Sequence, residues 1–149
     1  MPRKTRHVST SFDLIAEMKS RTLVKPSDVV ELVRFVEERE SGIQNKKEHM
    51  WCVGLDTRNQ VVFMDLVSLG TLNYNLVHPR ETFRRAVMED VASVILIHNH
   101  PSETPTFSDE DVALMKRMQQ AGKIMGIEIL DFVVYAGGEF KSAKKDGIM

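Results

Sequence analysis

Residues 93–111 read SVILIHNHPSETPTFSDED, and the way this stretch folds decides the architecture around it. Val94, Ile95 and Ile97 make a short continuous apolar run, the pattern of a strand buried on both faces. The run ends at the polar triplet His98-Asn99-His100 and at Pro101, which cannot extend a sheet ladder. After a loop, Ser108 stands where a helix N-cap is expected, at the head of SDEDVALMKRMQQAG, a helix that Gly122 should close. The next segment, GIEILDFVVYAGGEF, reads as a strand ending in a Gly137-Gly138 turn.

Upstream, PSDVVELVRFVEERE predicts a helix opening near Ser27, because Val29, Leu32, Val33 and Val36 fall at i, i+3, i+4 and i+7, one helical face. HMWCVGLD and QVVFMDLVSLG are strand-like and are separated by Thr57, Arg58 and Asn59, so they form an antiparallel hairpin. LVHPRETFRRAVMEDVA reads as one helix, with Pro79 at its first position and Phe83, Ala86, Val87 and Val91 as its apolar stripe. The order is helix, hairpin, helix, strand, helix, strand. It predicts an α/β fold class: a single domain with a mixed β-sheet flanked by helices. With no internal repeat or long linker, the chain divides into a polar N-terminal segment, 1–23, and one domain, 24–149.

A chain of 149 residues can bury a sizeable core without disulfides or a structural metal, so a metal here should be functional. Its 42% hydrophobic and 28% charged residues are those of a soluble globular protein, and no stretch approaches the roughly 20 apolar residues that span a bilayer. No membrane partner is therefore expected. MPRKTRHVSTSFDL has no apolar run after its basic residues, so no secretory signal is expected and the cytoplasm is the expected location. The single cysteine, Cys52, excludes a cysteine-rich zinc site, and with it the paired-cysteine zinc of nucleobase deaminases. Within MWCVGLD it should be a buried, inert thiol.

Twenty basic residues against twenty-one acidic ones give a net charge of -1, without the global basic excess of phosphate-backbone binders. Arg3, Lys4 and Arg6 at one end, and Lys141, Lys144 and Lys145 at the other, read as solvated terminal charge. Nucleic acid stays a secondary partner class. Nothing in the sequence sets an oligomeric state.

Side chains at i and i+2 of a strand share a face, so His98 and His100 can aim both imidazoles at one point where the strand leaves the core. Asp111 falls on the first turn of the following helix, in line with Leu114, Met115 and Met118 at i+3, i+4 and i+7. A carboxylate on that apolar face needs a cation, a cluster of donors or a metal, since burying it alone costs several kcal/mol. Ser108-Asp109-Glu110-Asp111 by itself also fits a capping box that merely satisfies backbone donors. Together with His-x-His it fits a zinc site, and capping and ligation can coexist at one helix end. Two nitrogens and one oxygen would leave a fourth tetrahedral position for water, as in catalytic zinc.

His98-Asn99-His100-Pro101-Ser102, followed by Ser108-x-x-Asp111, resembles the JAMM (MPN-plus, JAB) metal motif, specifically its RadC-like branch. The resemblance runs from about Val24 to the C-terminus through EHMWCVGLDTRNQVV, GTLNYNLVHPRETFRRAV, VILIHNHPS and GIEILDFVVYAGGEF. It implies the JAB/MPN fold, which is similar to cytidine deaminases, and a zinc metallopeptidase or isopeptidase acting on a protein or peptide substrate. By the same resemblance His98, His100 and Asp111 bind Zn2+, Glu48 is the general acid/base, and Ser108 helps stabilise the oxyanion. On local sequence alone Glu48, beside Lys46 and Lys47, would be an exposed charge at a strand start.

The resemblance also implies two other readings: a DNA-repair or recombination role, attached to RadC-like proteins by name, and a noncatalytic interaction domain, as in MPN relatives without the ligands. Every expected ligand stands in this chain. Two residues depart from the RadC-like pattern, Glu103 where glycine is usual and Phe132 where histidine is usual. The helix-hairpin-helix region of full-length relatives is not expected in this chain, which removes the part most readily linked to DNA.

Overall fold

In the computed structural model, which describes residues 21–39, 48–69, 77–101 and 104–149, five strands form one sheet. They are β1 (His49–Leu55), β2 (Val61–Leu69), β3 (Ser93–Asn99), β4 (Glu128–Ala136) and β5 (Glu139–Ser142), in the spatial order β2-β1-β3-β4-β5. β1 runs antiparallel to β2 and β3, β3 runs parallel to β4, and β5 returns antiparallel along β4. The sheet is therefore mixed, with its one parallel pair joined by a helical crossover. Among the described residues four helices accompany it: α1 (Pro26–Arg39), α2 (Pro79–Thr82), α3 (Arg84–Met88) and α4 (Asp109–Met125). Among the described residues, no helix is long and apolar enough to cross a membrane.

Strand alternation sorts the core into two layers. Met50, Cys52, Val94, Leu96, Phe132 and Val134 face α4, where Leu114, Met115 and Met118 meet them. Trp51, Val53, Leu55, Ile95, Ile97 and Val133 face α1, and Val29, Leu32, Val33 and Val36 cover them at the predicted helical spacing. β1 and β3 are buried along their whole length, which is why both read as apolar runs. Full burial of side chains such as Leu32 and Met115 stabilises the fold by roughly 1.5–3 kcal/mol each.

The hairpin forms as its turn residues dictate. Asp56 Oδ1 accepts from the amides of Arg58 at 2.8 Å and Gln60 at 2.9 Å, and Asn59 takes the left-handed φ of 60°. Asp28, in the first turn of α1, accepts at Oδ2 from the amides of Val24 and Lys25, both at 2.9 Å.

Three sequence expectations need correction. The single helix expected from Pro79 onward is two short pieces, α2 and α3, because Phe83 adopts φ -96° and ψ 0° and breaks the register between them. Val87 consequently leaves the apolar stripe and is 55% exposed, whereas Phe83 and Ala86 stay buried. α4 continues past Gly122 to Met125 and ends on Gly126, at φ 74°. Gly122 is needed for packing instead: a Cβ there would lie 2.4 Å from the Ile127 carbonyl oxygen. The chain after the Gly137-Gly138 turn adds β5, which the sequence reading did not separate.

The N-terminal basic cluster lies outside the described residues, while Leu23 is buried and Thr22 bridges Gln60. Lys141, Lys144 and Lys145 are exposed, in keeping with solvated charge.

Candidate metal centre

The end of β3 delivers two imidazoles to one place. His98 lies on the α4 face with Val94 and Leu96, and His100, one residue beyond the strand, keeps the same alternation. The chain does not drift there, because the His100 amide donates to the Tyr135 carbonyl at 2.9 Å. α4 brings Asp111 from the other side on its first turn. His98 Nε2 lies 3.0 Å from Asp111 Oδ1, and His100 Nε2 lies 3.0 Å from Asp111 Oδ2. The potential ligand atoms of these residues all fall within 4.8 Å of one another, so the group could hold a metal ion.

The donor set fits a tetrahedral ion. Bonds of about 2.0–2.1 Å put neighbouring ligand atoms roughly 3.3 Å apart, close to both separations. His98 Nε2 is nevertheless the one buried side-chain polar atom among the described residues that makes no hydrogen bond. It is near Asp111 Oδ1 but poorly aimed to donate a proton to it, as expected of two ligands that share an ion between them. The opposite ring nitrogens are occupied: His98 Nδ1 lies 3.3 Å from the Asn99 carbonyl and His100 Nδ1 lies 3.2 Å from the Thr104 carbonyl. Donation from Nδ1 to a carbonyl selects the tautomer whose Nε2 lone pair faces the site.

Capping and convergence coexist at Asp111, as the sequence allows. Its amide donates to Ser108 Oγ at 3.0 Å, and the Ser108 amide donates to Asp111 Oδ2 at 2.8 Å, completing a capping box. Burial by itself would raise the Asp111 pKa. The side chains of His100 and His98 and the Ser108 amide outweigh it and hold the carboxyl well below the usual carboxylate range. His100 is pushed up, first by its hydrogen bond to Asp111, against the opposing effect of burial; Thr104 and the charge of Glu48 add to the rise. Ser108 Oγ acts in the cap as an acceptor, so the cap does not consume its hydroxyl hydrogen.

Glu48 is half-buried rather than exposed. Met50 pairs with His98 across β1 and β3, and Glu48 stands two residues before Met50, where its charge acts on His100. The structure thus brings Glu48, His98, His100, Asp111 and Ser108 to one end of the sheet. Phe132 is fully buried and sets its ring edge-on to His98, with centroids 5.4 Å apart, so at this position packing rather than a polar group holds the imidazole. Glu103 and Ser102 lie outside the described residues. Cys52 is buried, and desolvation together with Asp65 pushes its thiol far above the ordinary range, which leaves it inert.

The sequence reading missed a polar cluster on the opposite face of the sheet. Glu37 Oε1 on α1 accepts from Trp51 Nε1 at 3.2 Å and also meets His49 Nε2 and the Tyr135 hydroxyl. His49 Nε2 lies 3.0 Å from that hydroxyl. Burial, reinforced by Glu37, pushes the Tyr135 pKa well above the phenol range, so its hydroxyl remains a donor. A signal was present: Glu37 stands at i+4 from Val33 and i+8 from Val29, in line with the buried stripe of α1.

Comparison with known proteins adds a family. A model described as the RadC-like JAB domain matches residues 23–148. A UPF0758 protein of Methanococcoides burtonii is 39% identical over 152 residues, covering 98% of this chain and 64% of the relative. One from Shouchella clausii is 43% identical over 147 residues, covering 97% and 63%. One from Desulforamulus reducens is 46% identical over 103 residues, covering 69% and 45%. The chain spans 64% or less of the length of these relatives.

Proposed function

The chain belongs to the RadC-like JAB domain family, and from that premise we propose that it is a zinc-dependent hydrolase cleaving an amide bond, a metallopeptidase or isopeptidase acting on a protein or peptide. The observation that carries this reading is the convergence of His98, His100 and Asp111 on one point, with both Nδ1 atoms against backbone carbonyls. Zinc held there would polarise a substrate carbonyl and bring the pKa of water toward ~7.

Glu48 is the proton carrier of the proposal. Placed where its charge acts on His100, it takes a proton from the attacking water and returns it to the leaving nitrogen. Ser108 contributes its hydroxyl hydrogen to the carbonyl oxygen as negative charge builds there, while its Oγ lone pair keeps the helix capped. Ligation would take the neutral imidazoles of His98 and His100 and the ionised carboxylate of Asp111.

The test is a cleavage screen over peptide and isopeptide libraries with the parent chain and Glu48→Gln. The parent should cleave a subset, and Glu48→Gln should keep its zinc but lose at least about 10²-fold in rate. Cleavage by Glu48→Gln at the parental rate would remove Glu48 from its assigned role.

A further inference from the structure

The buried cluster around Glu37 lies across the sheet from the metal centre, yet its members are tied to the backbone on which that centre is built. β1 and β3 pair from Met50↔His98 onward, so His49 is the next residue of β1 and Asn99 the next of β3. There the His49 amide is held by a side chain: it donates to Asn99 Oδ1 at 2.8 Å. The Glu48–His49 peptide is thus fastened to the residue between His98 and His100. On the other flank, the Tyr135 carbonyl accepts from the His100 amide at 2.9 Å. His49 and Tyr135 in turn converge on one oxygen, Glu37 Oε1, together with Trp51.

The groups are deeply buried: His49 and Trp51 are 0% exposed, Tyr135 6%, and the Glu37 side chain 8%. A carboxylate in this position is costly to desolvate, and apolar packing could fill the same space, so burial alone does not account for it. What it does geometrically is join α1 to β1, which follows Glu48, and to β4, whose Tyr135 carbonyl holds the His100 amide.

We propose that Glu37 and Asn99 are positioning residues: Asn99 fixes the Glu48 peptide against the His98–His100 segment, and Glu37 fixes His49 and Tyr135 so that both flanks keep one spacing. The inference rests on the metal reading above and adds residues that do not themselves touch the ion. Partners behind the ligands set ligand orientation, and loss of such support weakens metal binding by about 10–100-fold.

The experiment measures zinc affinity by competition with a chromophoric chelator, at a temperature well below each variant's melting point. Glu37→Ala and Asn99→Ala should each weaken zinc binding about tenfold. Glu37→Gln, which keeps an acceptor oxygen in place, should stay within about threefold of the parent. Asp131→Asn is the control, a change at an equally secluded carboxylate of β4 that serves the C-terminal turn. It should lower the melting temperature and leave zinc affinity unchanged. Should Glu37→Ala not fold, Asn99→Ala and Glu37→Gln decide the matter.

Parental zinc affinity in the folded alanine variants would overturn the proposal, as would equal losses in Glu37→Ala and Asp131→Asn. A His98→Ala, His100→Ala protein that binds zinc like the parent marks a different failure, that of the metal reading itself.

Discussion

Asp111 and Asp131 are each 7% exposed, yet their surroundings differ in kind. Asp131 is enclosed by protein donors: its Oδ1 accepts from the amides of Phe132 at 2.8 Å and Lys144 at 3.1 Å, and its Oδ2 from the Ser142 hydroxyl at 2.5 Å. Those bonds pin the C-terminal turn to β4. Asp111 takes one backbone amide from the cap and otherwise faces two imidazole nitrogens at 3.0 Å, one of them without a hydrogen bond. Equal burial therefore does not mean equal purpose. The closed carboxylate is a fastening, and the open one belongs to a group of side chains that could hold a metal ion.

The largest expected effect that separates the two sites is ligand-linked stability. Zinc at ~1,000 times its dissociation constant should stabilise the metal-stripped parent by about 4 kcal/mol. Asp111→Asn should lose most of that gain in thermal melts, and Asp131→Asn should keep it. The converse effect appears without metal. Asp131→Ala removes the acceptor for a hydroxyl and two amides, and should destabilise the fold by about 1–3 kcal/mol in denaturant titrations.

Ser108→Ala is expected to cost about 1 kcal/mol through the lost cap. If Ser108 also serves as an oxyanion donor, the same change should slow a validated cleavage about 10²-fold or more while zinc content stays constant. A stability loss with an unchanged rate would leave Ser108 a cap alone.

The smallest effect lies at α1. The Lys25 amide first, against the opposing effect of burial and with help from the Val24 amide, holds the Asp28 pKa below its ordinary value. A depressed carboxylate adds stability above its unfolded pKa, and that stability is lost as pH falls through the folded value. Asp28→Asn should therefore cost a fraction of a kcal/mol at neutral pH, since the group is solvent-screened, and the difference from the parent should vanish in strong acid.

The convergence of His98, His100 and Asp111 was legible in the sequence because its geometry is local. Alternation in β3 puts His98 and His100 on one face, and the cap spacing of three places Asp111 behind Ser108. The same locality made the helical stripe of α1 and the polar turn after Asp56 readable. The helix expected before β3 was not, because the break at Phe83 is a backbone choice within an unbroken amphipathic pattern. Gly122 misled for a related reason. A glycine that permits close approach of Ile127 looks, in one dimension, like a glycine that ends a helix. The Glu37 cluster joins residues separated by 12, 14 and 98 positions, so only the packing of α1 on the assembled sheet brings them together.

Elemental analysis of the purified parent beside its His98→Ala, His100→Ala double variant tests the central claim most directly. The account predicts about one zinc per parent chain and essentially none in the variant, with both proteins folded. Equal zinc in the two would contradict it.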